Sequence, residues 1–423
     1  MKRYDAYKST GIPWIPEVPE HWKMRKLRHF IEMISEKNHT QEPLLSVVRD
    51  QGVILRDVTS KEENHNAIPD DLSGYKLIEK GHFAINKMKA WQGSYGVSSY
   101  RGIVSPAYYT CRLNFEHKAF FNLAIRSDAY VPFFTQYSKG IRVGQWDLSP
   151  IGLKEIPFFL PPLSEQRAIV AYVERKGRQI DAYIARQAEQ IECLKELRKT
   201  IISHAVTRGI HPYTRFRPTG IPWIPEVPEH WEEHRCKNVL IETAVEVGDN
   251  ATDYTLLSLT KNGVIIRDLS EGKGKFPKDY KTYKVVKPGD LVFCLFDVDE
   301  TPRTVGYVRN HGMLTGAYSV FETRDVDTEY LCHYFISLDD RKALRPLYRG
   351  LRKVIPLPAF MSMPLFLPPL SEQHAIVAYI EKKTAAVDRM INACREQTEL
   401  MKAYKQRLIS DAVTGRINVL PHD

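Results

Sequence analysis

Four stretches of the chain gather side chains of the kinds that read nucleic-acid bases. NKMKAWQGSY carries Asn86, Lys87, Lys89 and Gln92 around Trp91, and GIRVGQW carries Arg142 and Gln145 beside Trp146. Farther on, DETPRTVGYVRNHG carries Arg303, Arg309 and Asn310, and YRGLRK carries Arg349, Arg352 and Lys353. Arginine and lysine donate to the edge of guanine, asparagine and glutamine exchange a donor and an acceptor with adenine, and any basic group can hold a phosphate. An isolated surface cation is usually only solvated; clustering with glycine and aromatic residues sets these stretches apart. By contrast, Arg56-Asp57 and Arg267-Asp268 repeat the same basic–acidic pair and read as structural ion pairs.

Other chemistries find little support. Cys111, Cys193, Cys236, Cys294, Cys332 and Cys394 form no CxxC or CxxH pair, so no metal site and no disulfide frame is expected. There is no Asn-Pro-Pro-Tyr or Asp-Pro-Pro-Tyr tetrapeptide of an amino-methyltransferase and no GxxxxGK[ST] phosphate loop. Asp253 with Glu271-Gly272-Lys273 imitates a nuclease pattern, but such spacing arises by chance, and Gly272 and Gly274 fit a loop. Lys and Arg outnumber Asp and Glu by 60 to 51, a formal charge of +9 that favours a polyanionic partner without establishing one. The 423 residues are 43% apolar, as in ordinary globular material, and contain no apolar run long enough for a membrane span. The start, MKRYDAYKSTG, lacks the apolar core of a signal peptide, so the expected location is the cytoplasm.

The elements that would position these side chains are duplicated. TGIPWIPEVPEHW runs from Thr10 to Trp22 and again, letter for letter, from Thr219 to Trp231. LPPLSEQRAIVAY at Leu160 to Tyr172 returns at Leu367 to Tyr379 with only Arg167 exchanged for His374. Between these phrases the order is kept while the match thins: LLSVVRDQGVILRD against LLSLTKNGVIIRD, YKLIEKGHF against YKVVKPGDL, GIVSPAY against GMLTGAY, SKGIR against YRGLR. Such a chain is an internal repeat. A segment that does the same work in both halves can stay identical, whereas one that reads a different sequence in each half must diverge. The repeated phrase is therefore framework. Pro13, Pro16 and Pro19 hold it extended, Trp14 and Trp22 anchor it, Gly11 allows a tight turn, and it straps each globular part to the helices, docks partners, or serves both purposes.

Each half reads as a mixed α+β unit followed by a long helix. Gly52-Val53-Ile54-Leu55 and Gly263-Val264-Ile265-Ile266 suit strands, YKVVKPGDLVF suits two strands joined at Pro288-Gly289-Asp290, and helices are expected near Ala119 to Tyr130 and Thr328 to Ser337. After each double proline, Ser164 and Ser371 are natural N-caps, and Gly209 and Gly415 can close the helices. Along the first helix Val173, Ile180, Leu194 and Ile201 recur at heptad spacing beside Val170, Ile184, Ile191 and Ala205, interrupted by Gln187 and Arg198. The second repeats this with Ile380, Val387, Cys394, Met401 and Leu408 beside Val377, Ile391 and Ala412. A stripe so narrow on a helix about 65 Å long calls for a partner helix, and each is the obvious partner of the other. Lys195 falls on the solvent side of this stripe. The boundaries follow as 1–159, 160–210, 211–366 and 367–423. Tyr4, Tyr7 and Lys8 stand where Tyr213, Phe216 and Arg217 stand in the second copy, so the chain is nearly circular, and pseudo-twofold symmetry with two equivalent faces for identical partners is expected.

The duplicated IPWIPEVPEHW and PLPPLSEQ segments, in this order around two long helices, resemble the DNA-specificity subunit of type I restriction-modification systems over nearly the whole chain. The resemblance implies that 1–159 and 211–366 are target recognition domains, each reading one half of a bipartite asymmetric site on double-stranded DNA, with 160–210 and 367–423 pairing antiparallel as a coiled-coil spacer. It further implies no catalysis and no cofactor in the chain itself. S-adenosylmethionine, ATP and magnesium would belong to its partners, two methyltransferase subunits and the restriction/translocase subunits. The competing expectation is a coiled-coil adaptor without specific DNA reading.

Overall fold

The computed structural model describes residues 2–58, 68–140, 146–267, 280–301 and 303–420. The chain divides into two compact units, one formed by Met1–Gln187 with Glu396–Asp423, the other by Ala188–Arg395. The division cuts through both long helices, so each unit holds a part of each. Among the described residues no helix is long and apolar enough to cross a membrane.

The first unit opens on a hairpin, Tyr7–Ile12 against Ile15–Pro19, whose turn is held by the Ile12 amide donating to Thr10 Oγ1 at 3.0 Å, with Gly11 at a φ of 72°. The chain continues into strand Lys23–Lys26, which pairs antiparallel with Pro157–Leu160, immediately before the double proline. A four-stranded antiparallel sheet follows in the order Ile31–Ile34, Tyr108–Leu113, Phe83–Asn86, Tyr95–Val97. Its apolar face packs on Phe120, Phe121, Phe134 and Phe158, all fully buried. The helix expected near Ala119 to Tyr130 ends at Ile125, as Lys118–Ile125, and a second helix, Val131–Gln136, follows with Pro132 in its first turn, where the missing N–H costs nothing.

The second unit repeats this order. Its hairpin is Phe216–Ile221 with Ile224–Pro228, its framework pair is Glu232–Arg235 with Pro364–Leu367, and its sheet runs Leu240–Thr243, Ser319–Thr323, Leu291–Phe293, Val305–Tyr307. The strands expected around Pro288-Gly289-Asp290 form, but they join different sheets: Lys284–Val286 pairs with Gly312–Leu314, and Leu291–Phe293 with Val305–Tyr307. The repeated glycines have a shared reason. A Cβ on Gly102 or Gly312 would lie 2.5 or 2.3 Å from the carbonyl oxygen of Pro43 or Thr255. Helix Thr328–Asp340 starts where the Asp327 carboxylate accepts from the Tyr330 amide at 2.8 Å.

The long helices span Leu163–Arg208 and Leu370–Val413. They begin at the leucine after the prolines, which places Ser164 and Ser371 inside the first turn and not at the N-cap. The end is organised by the next glutamine instead. Gln166 Nε2 donates to Pro161 O at 2.9 Å and Gln373 Nε2 to Pro368 O at 2.8 Å, and both glutamines are buried. Within the first unit the helices pair antiparallel through Val173, Ile180, Leu408 and Ala412, with Tyr183 OH donating to Gln397 Oε1 at 2.8 Å and Lys405 bound to Asp181 at 2.7 Å. Within the second unit Val377 and Ile380 join Ile202, Ala205 and Val206, and Arg198 meets Asp388 at 3.2 Å. Ile202, 2% exposed, takes the buried place expected for Ile201, which is half-buried. A straight helix drifts by about 20° per heptad against a strict seven-residue row, and Ile202 here faces the globular part of its unit as well as the opposing helix.

Candidate nucleic-acid interface

The two repeated phrases meet. In the first unit Trp22, fully buried, donates its indole N–H to Glu165 Oε2 at 2.9 Å, Tyr4 OH donates to the same oxygen at 3.1 Å, and His21 Nε2 lies 2.5 Å from Glu165 Oε1. In the second unit Trp231 donates to Glu372 at 3.3 Å, with His230 2.7 Å from the other oxygen. The tryptophan also packs against the end of the other helix: a Cβ on Gly415 would stand 3.2 Å from Trp22, and one on Gly209 3.7 Å from Trp231. Each EHW segment thus clasps the start of one long helix and the end of the other, which gives each unit's loops a fixed base. The chain termini close on the same clasp, with Tyr7 OH donating to Gly415 O at 2.9 Å and the Asn418 amide to Lys2 O at 2.9 Å.

On this base the sequence candidates separate. Lys89 is exposed and Gln92 half-buried in a short turn where Trp91 and Trp146 lie 5.1 Å apart. Lys87 reaches Asp147 at 2.8 Å, a hydrogen bond that raises its pKa. Asn86 belongs to the interior, not the surface. It is 6% exposed and donates to Tyr108 OH at 3.2 Å, because its position in strand Phe83–Asn86 turns it into the protein. Arg142 and Gln145 lie outside the described residues, as do Asp268 and the Glu271 to Gly274 stretch.

In the second unit Arg309 and Asn310 are exposed, Arg309 lying 2.9 Å from Glu329 and over the Tyr307 ring. Arg303 lines one cleft with Arg309 but is held by acids. Its side chain is 17% exposed and bonds Asp340 at 2.9 Å and Asp339 at 3.4 Å, which gives it a structural role in the unit. Arg303→Met strips Asp340 of its cation while Asp339 keeps Lys342 at 2.8 Å and the Thr304 amide at 3.0 Å, so stability should fall by about 1–2 kcal/mol, and a thermal unfolding midpoint unchanged from the parent would contradict this. Arg349, Arg352 and Lys353 sit on one hairpin and are exposed or half-exposed. Arg352 Nη2 binds Asp297 at 2.8 Å and Lys353 Nζ binds Asp299 at 3.1 Å, and these bonds hold both carboxyls below their ordinary pKa. The acids of the Asp297 to Glu300 turn are partners that the basic residues alone do not disclose; their signal in the sequence is Asp-Val-Asp-Glu just before Thr-Pro-Arg. Lys195 is not on a purely solvent face. With Arg198, Lys261, Arg309 and Arg395 it lines a cleft of about 800 Å³ in the second unit, above His333, whose pKa burial and then Arg198 push down to about 4.

No protein-family model matches the chain. Among curated proteins of Methanocaldococcus jannaschii, the MjaX type I restriction enzyme specificity subunit is 24% identical over 98% of this chain and 97% of its own length. The MjaVIII type I restriction enzyme specificity subunit is 25% identical over 68% of each chain. Over nearly its whole length the chain is similar to type I restriction enzyme specificity subunits. A solved structure concerned with assembly and conformational transition of the type I restriction–modification system shares the fold of this chain, with a TM-score of 0.62 at 17% identity, covering 95% of this chain and 99% of that one.

Proposed function

We propose that this chain is the non-catalytic DNA reader of a type I restriction–modification complex, each unit reading one half of a bipartite, asymmetric site. The observation that carries the reading is the pairing of one framework with unlike loops. Both units repeat the same strand order and the same Trp–Glu clasp, while the loops above differ: Lys89 and Gln92 beside two tryptophans in one, Arg309, Asn310 and Arg349 in the other. Within this reading residues 1–159 and 211–366 are the recognition domains and 160–210 and 367–423 the spacer, with Arg142 and Gln145 kept as contacts on their sequence alone. A coiled-coil adaptor would have no need of divergent loops on a duplicated frame.

Two copies of one partner fit the same frame. Gly11, Pro13, Pro16 and Glu20 are exposed, and so are Gly220, Pro222, Pro225 and Glu229, their identical counterparts. The strand just beyond is also exposed yet has changed charge, from Lys23-Met24-Arg25-Lys26 to Glu232-Glu233-His234-Arg235. Identity at the first set and divergence at the second favour a surface recognised twice, by two methyltransferase subunits that would bring S-adenosylmethionine. Restriction subunits would supply ATP-driven, magnesium-dependent steps.

The test is methylation. The purified chain with S-adenosylmethionine should transfer no methyl group to DNA, and with its methylation subunits it should direct adenine methylation to one two-part site. Methyl transfer by the isolated chain, free of contaminants, or methylation by the complex without sequence preference, would overturn the reading.

A further inference from the structure

Leu351 stands at the tip of a hairpin with its side chain wholly in solvent, at 102% exposure. The tip itself is fixed. Arg349 and Val354 exchange backbone hydrogen bonds of 2.8 and 3.0 Å, and the Lys353 amide donates to Gly350 O at 3.1 Å, with Gly350 and Lys353 at φ of 68° and 46°. Below it, the Asp297 amide donates to Arg352 O at 2.9 Å, the Arg352 and Lys353 side chains hold Asp297 and Asp299, and the Ile355 amide donates to Leu295 O at 2.8 Å. A single exposed aliphatic residue needs no explanation in general. Here the pattern recurs: Lys139-Gly140-Ile141-Arg142 in the first half matches Arg349-Gly350-Leu351-Arg352, basic, glycine, aliphatic, arginine, although the residues that follow are unrelated. In the first unit the strand Ser138–Lys139 that enters this motif likewise pairs back, with Asp147–Leu148. Ile141 lies outside the described residues, and only its sequence enters the argument.

We propose that Leu351 is a wedge that enters the base stack of the DNA at the second unit's half-site, with Arg349 beside it on the backbone phosphates. The proposal rests on the DNA-reading function above. An aliphatic side chain is stabilised on leaving water, and on this stiff tip with basic neighbours none of the described residues of its own unit covers it. A lone projecting side chain adds little to a flat interface, whereas between two base pairs it is covered on both faces, and leucine and isoleucine serve as wedges of this kind.

Duplexes carrying 2-aminopurine at successive purine positions of the mapped half-site, bound to the complex with methylation subunits, test this. Parent protein should raise the fluorescence several-fold at one step, Leu351→Met should keep the rise, and Leu351→Ala should abolish it while fluorescence anisotropy shows binding weakened by no more than about tenfold, since losing the wedge also removes the cost of unstacking. A parent complex that binds by anisotropy yet brightens no position overturns the wedge and leaves the reader intact. Leu351→Ala relaxing the choice of one base with no fluorescence change in either protein would instead make Leu351 a contact to a thymine methyl, and the wedge fails. A complex that binds no duplex specifically overturns both.

Discussion

Replacing residues 44–156 with the corresponding segment of another specificity subunit will change one half of the methylated site and leave the other half as it was. The segment starts at Leu44 and ends at Ile156, just before strand Pro157–Leu160. The hairpin, strand Lys23–Lys26, the clasp at Trp22 and Glu165, and both long helices all lie outside it. One junction crosses a sheet, because Ile31–Ile34 stays behind while its partner Tyr108–Leu113 is exchanged. Backbone hydrogen bonds tolerate that exchange, and the incoming strand must bring a side chain that covers buried Ile31. The effect is all or none at the level of sequence: methylated adenines mapped across a genome should keep one half-site and acquire a new other half. A change in both halves would mean that the two units do not read independently.

Trp22→Ala should be among the most damaging single substitutions in the first unit. The side chain is fully buried between Glu165 and Gly415, so its loss opens a cavity and strips a buried carboxylate of its indole donor. Truncating a buried tryptophan costs about 3–5 kcal/mol, and Glu165 keeps Tyr4 and His21 as partners, so the lost packing is the larger part of the cost. Trp22→Phe keeps part of the packing but loses the N–H and the volume of the second ring, for a smaller cost of about 2–3 kcal/mol. Hydrogen exchange resolves the outcome by region. Protection should fall in Met1–Gln187 and in Glu396–Val413, with Ala188–Arg395 close to the parent; equal loss in both units, or none in either, would contradict the clasp.

What the sequence disclosed and what it withheld follow from the range of the interactions. The duplicated phrases were legible because identity is visible without knowing any contact, and strands Gly52–Leu55 and Gly263–Ile266 because β-branched runs between turns are a local signal. The closing glycines were legible too, and Gly209 and Gly415 adopt φ of 74° and 71°. The clasp was not, since Trp22 and Glu165 are 143 positions apart and nothing near either predicts the other. Distant partners also decide the fate of the basic candidates. Arg303 is claimed by Asp340, 37 positions on, and Arg352 by Asp297, 55 positions back. Composition marks an arginine as able to read a base; only the fold says whether an acid already holds it. The helix starts differ from the expected serine caps for a local reason, the glutamine side chain reaching back to the proline carbonyl.

The first unit is assembled from both ends of the chain, whereas the second is one continuous stretch. During synthesis the second unit is complete once Arg395 has left the ribosome. The first must wait, holding Val173 and Ile180 uncovered from the time they emerge until Leu408 and Ala412 arrive. At roughly 5–20 residues per second that interval is on the order of ten to forty seconds. The part of the protein made first is therefore finished last, and a nascent chain cut short after Arg395 would leave the ribosome with a completed second unit and a first unit whose apolar stripe has nothing to close it.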